Sequence, residues 1–140
     1  DFAVVDDKGN VTNTIEKGTS FTIKTKTQFF NEIQNPIFTY TFKTIQGVSI
    51  TGTNTMFEKT DFEVGPIMEI SFEQDMNLQG GEYLLSFGCT GYNGTDFTVY
   101  HRLYDVCNIT VVSDKNTVGY YDMNSKITVQ TYEGTNICRK

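Results

Sequence analysis

The sequence predicts an all-β domain, and three observations predict it. Apolar residues recur at every second position in run after run, the spacing of strands with one buried face. Aromatics make up 14% of the 140 residues, eleven Phe and eight Tyr among them, and Thr is abundant; both residue classes favour pleated surfaces. Twelve Gly and only two Pro punctuate the chain at short intervals, as tight turns between short strands require. Seven or more closely spaced strands, with no amphipathic helix between them, point to a sandwich or a barrel.

The elements follow in order. Residues 2–5 read as a first strand, closed by the turn Asp7-Lys8-Gly9-Asn10. Residues 20–29 alternate cleanly, with Phe21, Ile23, Thr25, Thr27 and Phe29 on one face and Thr22, Lys24, Lys26 and Gln28 on the other. Pro36 closes a turn and opens a strand that sets Phe38, Tyr40 and Phe42 against Thr39, Thr41 and Lys43. Gln46-Gly47 breaks it, Val48-Ser49-Ile50 forms a short follower, and Gly52-Thr53-Asn54-Thr55 ends that. Residues 55–63 read as an irregular loop. Alternation returns over 65–75, with Met68, Ile70 and Phe72 inward and Glu69, Ser71 and Glu73 outward.

Leu78-Gln79-Gly80-Gly81 turns the chain into a strand over 82–90, whose inward residues are Tyr83, Leu85, Phe87 and Cys89. A hairpin loop at 91–96 leads into a long strand to about residue 112. Read with one parity throughout, that strand buries Phe97, Val99, Leu103, Cys107, Ile109 and Val111. Residues 114–124 are a polar, turn-rich excursion, and 126–132 read as a last strand.

The net charge is −6 and the pI about 4.6. That balance excludes a phosphate-backbone partner, which clustered Lys and Arg would have to neutralise. It also opposes docking on an anionic membrane surface; a neutral ligand such as a sugar fits better. The length suits a single domain over 1–140, with 132–140 as a loose tail. Such a chain buries roughly two-thirds of its unfolded surface and needs no staples. The cysteines, Cys89, Cys107 and Cys138, are odd in number and form no Cys-X-X-Cys pair, so no metal or other cofactor is expected. Cys89 and Cys107 read as small core hydrophobes, and free thiols suit a reducing compartment. Neither a signal peptide nor an apolar run near twenty residues is visible. A start within a strand at Asp1-Phe2 is what a piece of a longer protein would show.

The block over 35–55, NPIFTYTFKTIQGVSITGTNT, is the most specific stretch. Its order is a Pro-led aromatic strand, an X-Gly turn, a short apolar strand and Gly-X-Asn-Thr. Phe2-Ala3-Val4 precedes it; Gly65-Pro66, Leu78-X-X-Gly81-X-Tyr83-X-Leu85, Tyr104-Asp105 and Gly119 follow it. In that order and spacing, over residues 2–129, the chain resembles the C-terminal domain of Wzt-type ABC transporters, which export O-antigen and related surface polysaccharides. The resemblance implies an immunoglobulin-like antiparallel β-sandwich that binds the polysaccharide and carries no ATPase chemistry. It implies work at the cytoplasmic face of the bacterial inner membrane, beside nucleotide-binding and transmembrane subunits. No Gly-rich Walker loop occurs in these 140 residues, so any ATPase lies outside this chain. Some members of that family dimerise by exchanging C-terminal strands, which makes 126–132 the segment to exchange.

A ligand surface is expected on the hairpin of the two long strands. Its even-numbered residues would point outward: Leu84, Ser86, Gly88 and Thr90 beside Tyr100, Arg102 and Tyr104. Two aromatics flank an arginine, and small neighbours leave room. A pyranose stacks its C–H face on a ring, and a guanidinium fork fixes its hydroxyls. Tyr100, Arg102, Tyr104, Ser86 and Gly88 are therefore the candidate carbohydrate-binding residues, with Thr39, Thr41, Lys43, Glu69, Ser71 and Glu73 as extensions. Tyr92, Asn93 and Tyr120-Tyr121 are weaker candidates, and His101, the only histidine, shares parity with the inward set.

No nucleophile motif accompanies that histidine. Glu69 and Glu73 stand roughly 13–14 Å apart along their strand, too far for either glycosidase geometry, so no enzyme is expected. Two rivals remain. One is a secreted carbohydrate-binding or adhesion module, for which the sequons at Asn10, Asn93 and Asn108 speak. The other is a structural module that dimerises through an edge strand. A nucleotide-binding domain or a signal peptide upstream separates the transporter reading from the first, and sugar binding separates it from the second.

Overall fold

The computed structural model describes residues 1–30, 33–93 and 95–133, and for Asn93 and residues 102–106 the backbone alone. Eight strands and no helix form among them: β1 (Phe2–Val5), β2 (Thr14–Glu16), β3 (Ser20–Gln28), β4 (Ile37–Lys43), β5 (Ser49–Asn54), β6 (Ile67–Asp75), β7 (Gly81–Asn93) and β8 (Asp96–Val112). They pair into a three-stranded sheet, β1-β3-β6, and a five-stranded sheet, β2-β8-β7-β4-β5. The two stack as the expected immunoglobulin-like β-sandwich. One pairing departs from the antiparallel rule, because β2 runs parallel to β8 with Ile15 opposite Val111. Three residues with a single buried side chain carry no visible alternation, so β2 has no signature in the sequence.

The inward faces of β3, β4 and β6 are those that period-two alternation predicts. They meet at one end of the sandwich, where Phe21, Ile23, Phe42, Leu85 and Ile109 belong to one buried cluster. Each such side chain contributes about 1.5–3 kcal/mol by leaving water. Cys89 is buried and Cys107 packs against the same cluster, both as free thiols.

Strand β8 is longer than β7 because it carries two bulges. Leu85 pairs with Cys107 and Phe87 with Leu103, so residues 104–106 stand opposite Ser86 alone. Two extra residues leave the side-chain parity unchanged. Cys89 then pairs with His101 and Thr90 with Val99, which makes Tyr100 a single extra residue. One extra residue reverses the parity. Phe97 and Val99, expected inward, therefore lie opposite Tyr92 and Thr90 and are 54% and 46% exposed.

The polar excursion is pinned rather than loose. Lys17 Nζ lies 2.6 Å from Asp122 Oδ2, Gln79 Nε2 donates to Thr117 Oγ1 at 2.6 Å, and the Gly80 N–H donates to Asn116 Oδ1 at 2.8 Å. Beyond it the expected last strand is absent as a strand. Residues 126–132 pair with nothing among the described residues, and Ile127 and Val129 are 83% and 84% exposed. Alternation makes a segment able to form a strand, but a ladder needs a free edge within reach. Residues 134–140, with Cys138 and most of the tail, lie outside the described residues.

Candidate functional site

Away from the packed end, the inward positions of β3 change from Phe21 and Ile23 to Thr25 and Thr27. Threonine fills less of the gap between two sheets than phenylalanine or isoleucine, so space is left between them there. A cleft of about 550 Å³ opens between the end of β3 and the strands β4, β7 and β8. Aromatic rings wall it: Phe29 stands 6.3 Å from Phe38 and Phe2 stands 5.3 Å from Phe87, centroid to centroid. Tyr100 and His101 complete the wall from β8, while Thr25, Thr27 and Gln28 supply polar atoms from β3.

The second bulge is what brings Tyr100 here. The backbone of Gly91 approaches its ring so closely that a Cβ at position 91 would lie 2.8 Å from Tyr100 Cε2. Tyr100 is half-buried and its neighbour His101 exposed at the rim. The Cys89 thiol faces the same cleft, and burial pushes its pKa up to about 11, so it stays protonated and inert at neutral pH.

Of the five residues proposed from the sequence, Tyr100, Gly88 and Ser86 are fully described. Tyr100 and Gly88 line the cleft. Ser86 is 6% exposed in the middle of a strand flanked on both sides, so little of it is open to solvent. The side chains of Arg102 and Tyr104 lie outside the described structure; the backbone of Arg102 pairs with Gly88. Thr39, Thr41 and Lys43 are neighbours of this hairpin through β4. Glu69, Ser71 and Glu73 are not, because β6 belongs to the other sheet and its outer face points away. The phenylalanines of the cleft escape sequence reading. The signal that could have found them is an aromatic, Phe29, continuing the inward parity of β3 beyond its two threonines.

Chemically the cleft offers ring faces, hydroxyls, an amide, an imidazole and a thiol, with Lys26 and Asp1 at its edge. That set suits a ligand with both C–H faces and hydroxyl groups. Among the described residues no group of three or more His, Cys, Asp and Glu side chains comes together to hold a metal ion.

A family model described as the Wzt C-terminal domain matches residues 1–123. Among solved structures, the crystal structure of the C-terminal domain of Wzt is similar with a TM-score of 0.83 at 23% identity, over 93% of this chain and 81% of that one. No curated protein matches the chain.

Proposed function

The chain belongs to the Wzt C-terminal domain family, and from that premise we propose that it is a non-catalytic carbohydrate-binding domain serving the export of a bacterial surface polysaccharide by an ABC transporter. The observation that carries the reading is the aromatic-walled cleft closed by Tyr100 and His101. Sugar rings stack on its phenylalanines, and Thr25, Thr27 and Gln28 take up hydroxyl groups. Gly88 shapes the wall by having no side chain, and Ser86 lies two residues before it on β7. Arg102 and Tyr104, next along β8, extend the contact.

The domain would work at the cytoplasmic face of the membrane, held there by the nucleotide-binding and transmembrane subunits of the transporter. Among the described residues no helix is long and apolar enough to cross a membrane. The exposed, unpaired strand-forming segment 126–132 supports a homodimer built by exchanging that segment. Two clefts on one dimer raise the avidity for a repeating glycan. One shallow cleft makes few contacts, so affinity for a short oligosaccharide lies in the range of about micromolar to millimolar.

The test is a heteronuclear NMR titration of the 140-residue chain with polysaccharide from its own source strain. Saturable shifts at Phe29, Thr27, Tyr100 and His101 support the reading and the cleft together. Shifts on the outer face of β4 and β7 keep the function and move the site. Silence at millimolar glycan rejects the function in favour of a structural dimerisation module.

A further inference from the structure

A second cleft, also of about 550 Å³, lies on the other side of Phe38 and Phe72, which line both. One wall is the edge strand β6; the other is the end of β5 with the turns that follow it. We propose that this second cleft is a separate saccharide subsite, selective for a sugar that bears a free amine. The proposal rests on the glycan-binding reading given above.

The walls are held in place by their own hydrogen bonds. The Tyr40 hydroxyl donates to Gln74 Oε1 at 3.1 Å and so ties the two sheets together. Across the cleft the Thr53 hydroxyl donates to Glu58 Oε2 at 2.7 Å, and Asn54 Oδ1 accepts from the Phe57 N–H at 2.7 Å. The Tyr40 ring stands 4.9 Å from Phe72, and Phe62 stands 5.9 Å from Phe38. The result is a slot with aromatic sides and an oriented carboxylate at its rim.

One atom in the slot lacks what it needs. Gln74 Nε2 is buried and donates to nothing among the described residues, and an unpaired buried donor is costly. Because Tyr40 already holds the other end of the amide, the donor awaits an acceptor from a ligand, such as a hydroxyl or ring oxygen. The charge around it is one-sided. Glu58 sets its carboxylate at the rim, Glu69 and Glu73 stand on the outer face of β6 beside it, and no Lys or Arg is among the described residues that line the cleft. A uronate or phosphate group would be repelled there, whereas an ammonium group pairs with Glu58 and faces the ring of Tyr40 or Phe62. The first cleft differs, since Lys26 and His101 line it alongside the single carboxylate of Asp1. The two clefts thus face unlike parts of a glycan.

The experiment titrates the labelled 140-residue chain with fully deacetylated chitotetraose, with trigalacturonate, and with the source-strain polysaccharide. Deacetylated chitotetraose is expected to shift the Gln74 side-chain amide and the backbone amides of Thr53 and Glu58. Glu58→Gln, an exposed change that leaves the fold intact, should weaken that binding about tenfold, and trigalacturonate should move none of these signals. Silence of Gln74 and Glu58 with chitotetraose, or equal shifts from trigalacturonate, overturns the subsite. Source polysaccharide that shifts Tyr100 and His101 in the same series leaves the glycan reading standing, and its silence there removes that reading instead. A changed monomer–dimer balance in Glu58→Gln or Gln74→Leu makes the cleft an acceptor for a second copy's strand and also overturns the proposal.

Discussion

Tyr100 lies across Gly91, with ring and backbone so close that no larger residue fits at position 91 without moving the ring. The contact exists because a single extra residue in β8 turns Tyr100 to the face on which Gly91 sits. Glycine at 91 and the bulge at 100 together decide what the cleft offers a ligand.

Gly91→Ala should therefore displace Tyr100 while keeping the sandwich. Overpacking of this kind costs about 1–3 kcal/mol, read as a lower urea midpoint with unchanged slope. Amide shifts should concentrate on residues 98–101, and polysaccharide affinity should fall. A variant with parent-like binding would separate Tyr100 from the glycan.

Leu85 is fully buried at the centre of the core, inward on β7. Leu85→Ala should cost about 2–5 kcal/mol, measured by urea denaturation. A loss under 1 kcal/mol would mean that the sheets close over the vacated volume.

Asp122 carries an acid-dependent part of the stability. Its hydrogen bond from Lys17, then the Asn124 N–H, hold the carboxyl down to about 2, below the ordinary 3.8. A lowered folded value means that the stabilisation is complete above the unfolded value and fades as pH falls from about 4 to about 2. Urea midpoints of the parent and Asp122→Asn should differ at pH 6 and converge by pH 2. A constant gap across that window would refute the assignment.

Burial pushes the thiol of Cys89 up to about 11 and that of Cys107 upward too. In a Cys138→Ser background, a thiol reagent at pH 8 should label the folded chain far more slowly than the urea-unfolded one. Rapid labelling of the folded chain would place one of these cysteines at an open surface.

If residues 126–132 are exchanged between copies, the chain sediments as a dimer. Val129→Asp should shift it toward monomer, since a carboxylate on the buried face of a strand opposes its docking. A parent that sediments as a monomer at all concentrations would exclude exchange.

Most of the strands are legible one at a time, because a strand with one wet face writes its period into its own residues. Phe21-Thr22-Ile23 and Phe38-Thr39-Tyr40 announce both the element and the side that is buried. The motif order of residues 35–55 carried the family. The site was less legible. Tyr100 and Gly88 are in the cleft, Ser86 is buried, and Glu69, Ser71 and Glu73 belong to the opposite sheet.

By itself, then, the sequence determined strand type, facing and sheet class, which are local consequences of side-chain alternation and turn residues. Only the tertiary structure decided the register of β8 on β7, the parallel docking of β2, the cleft beside Thr25 and Thr27, and the lack of a strand partner for 126–132 among the described residues. The physical reason is common to all four. A bulge, an edge pairing or a gap is a relation between two segments, and neither segment records it alone.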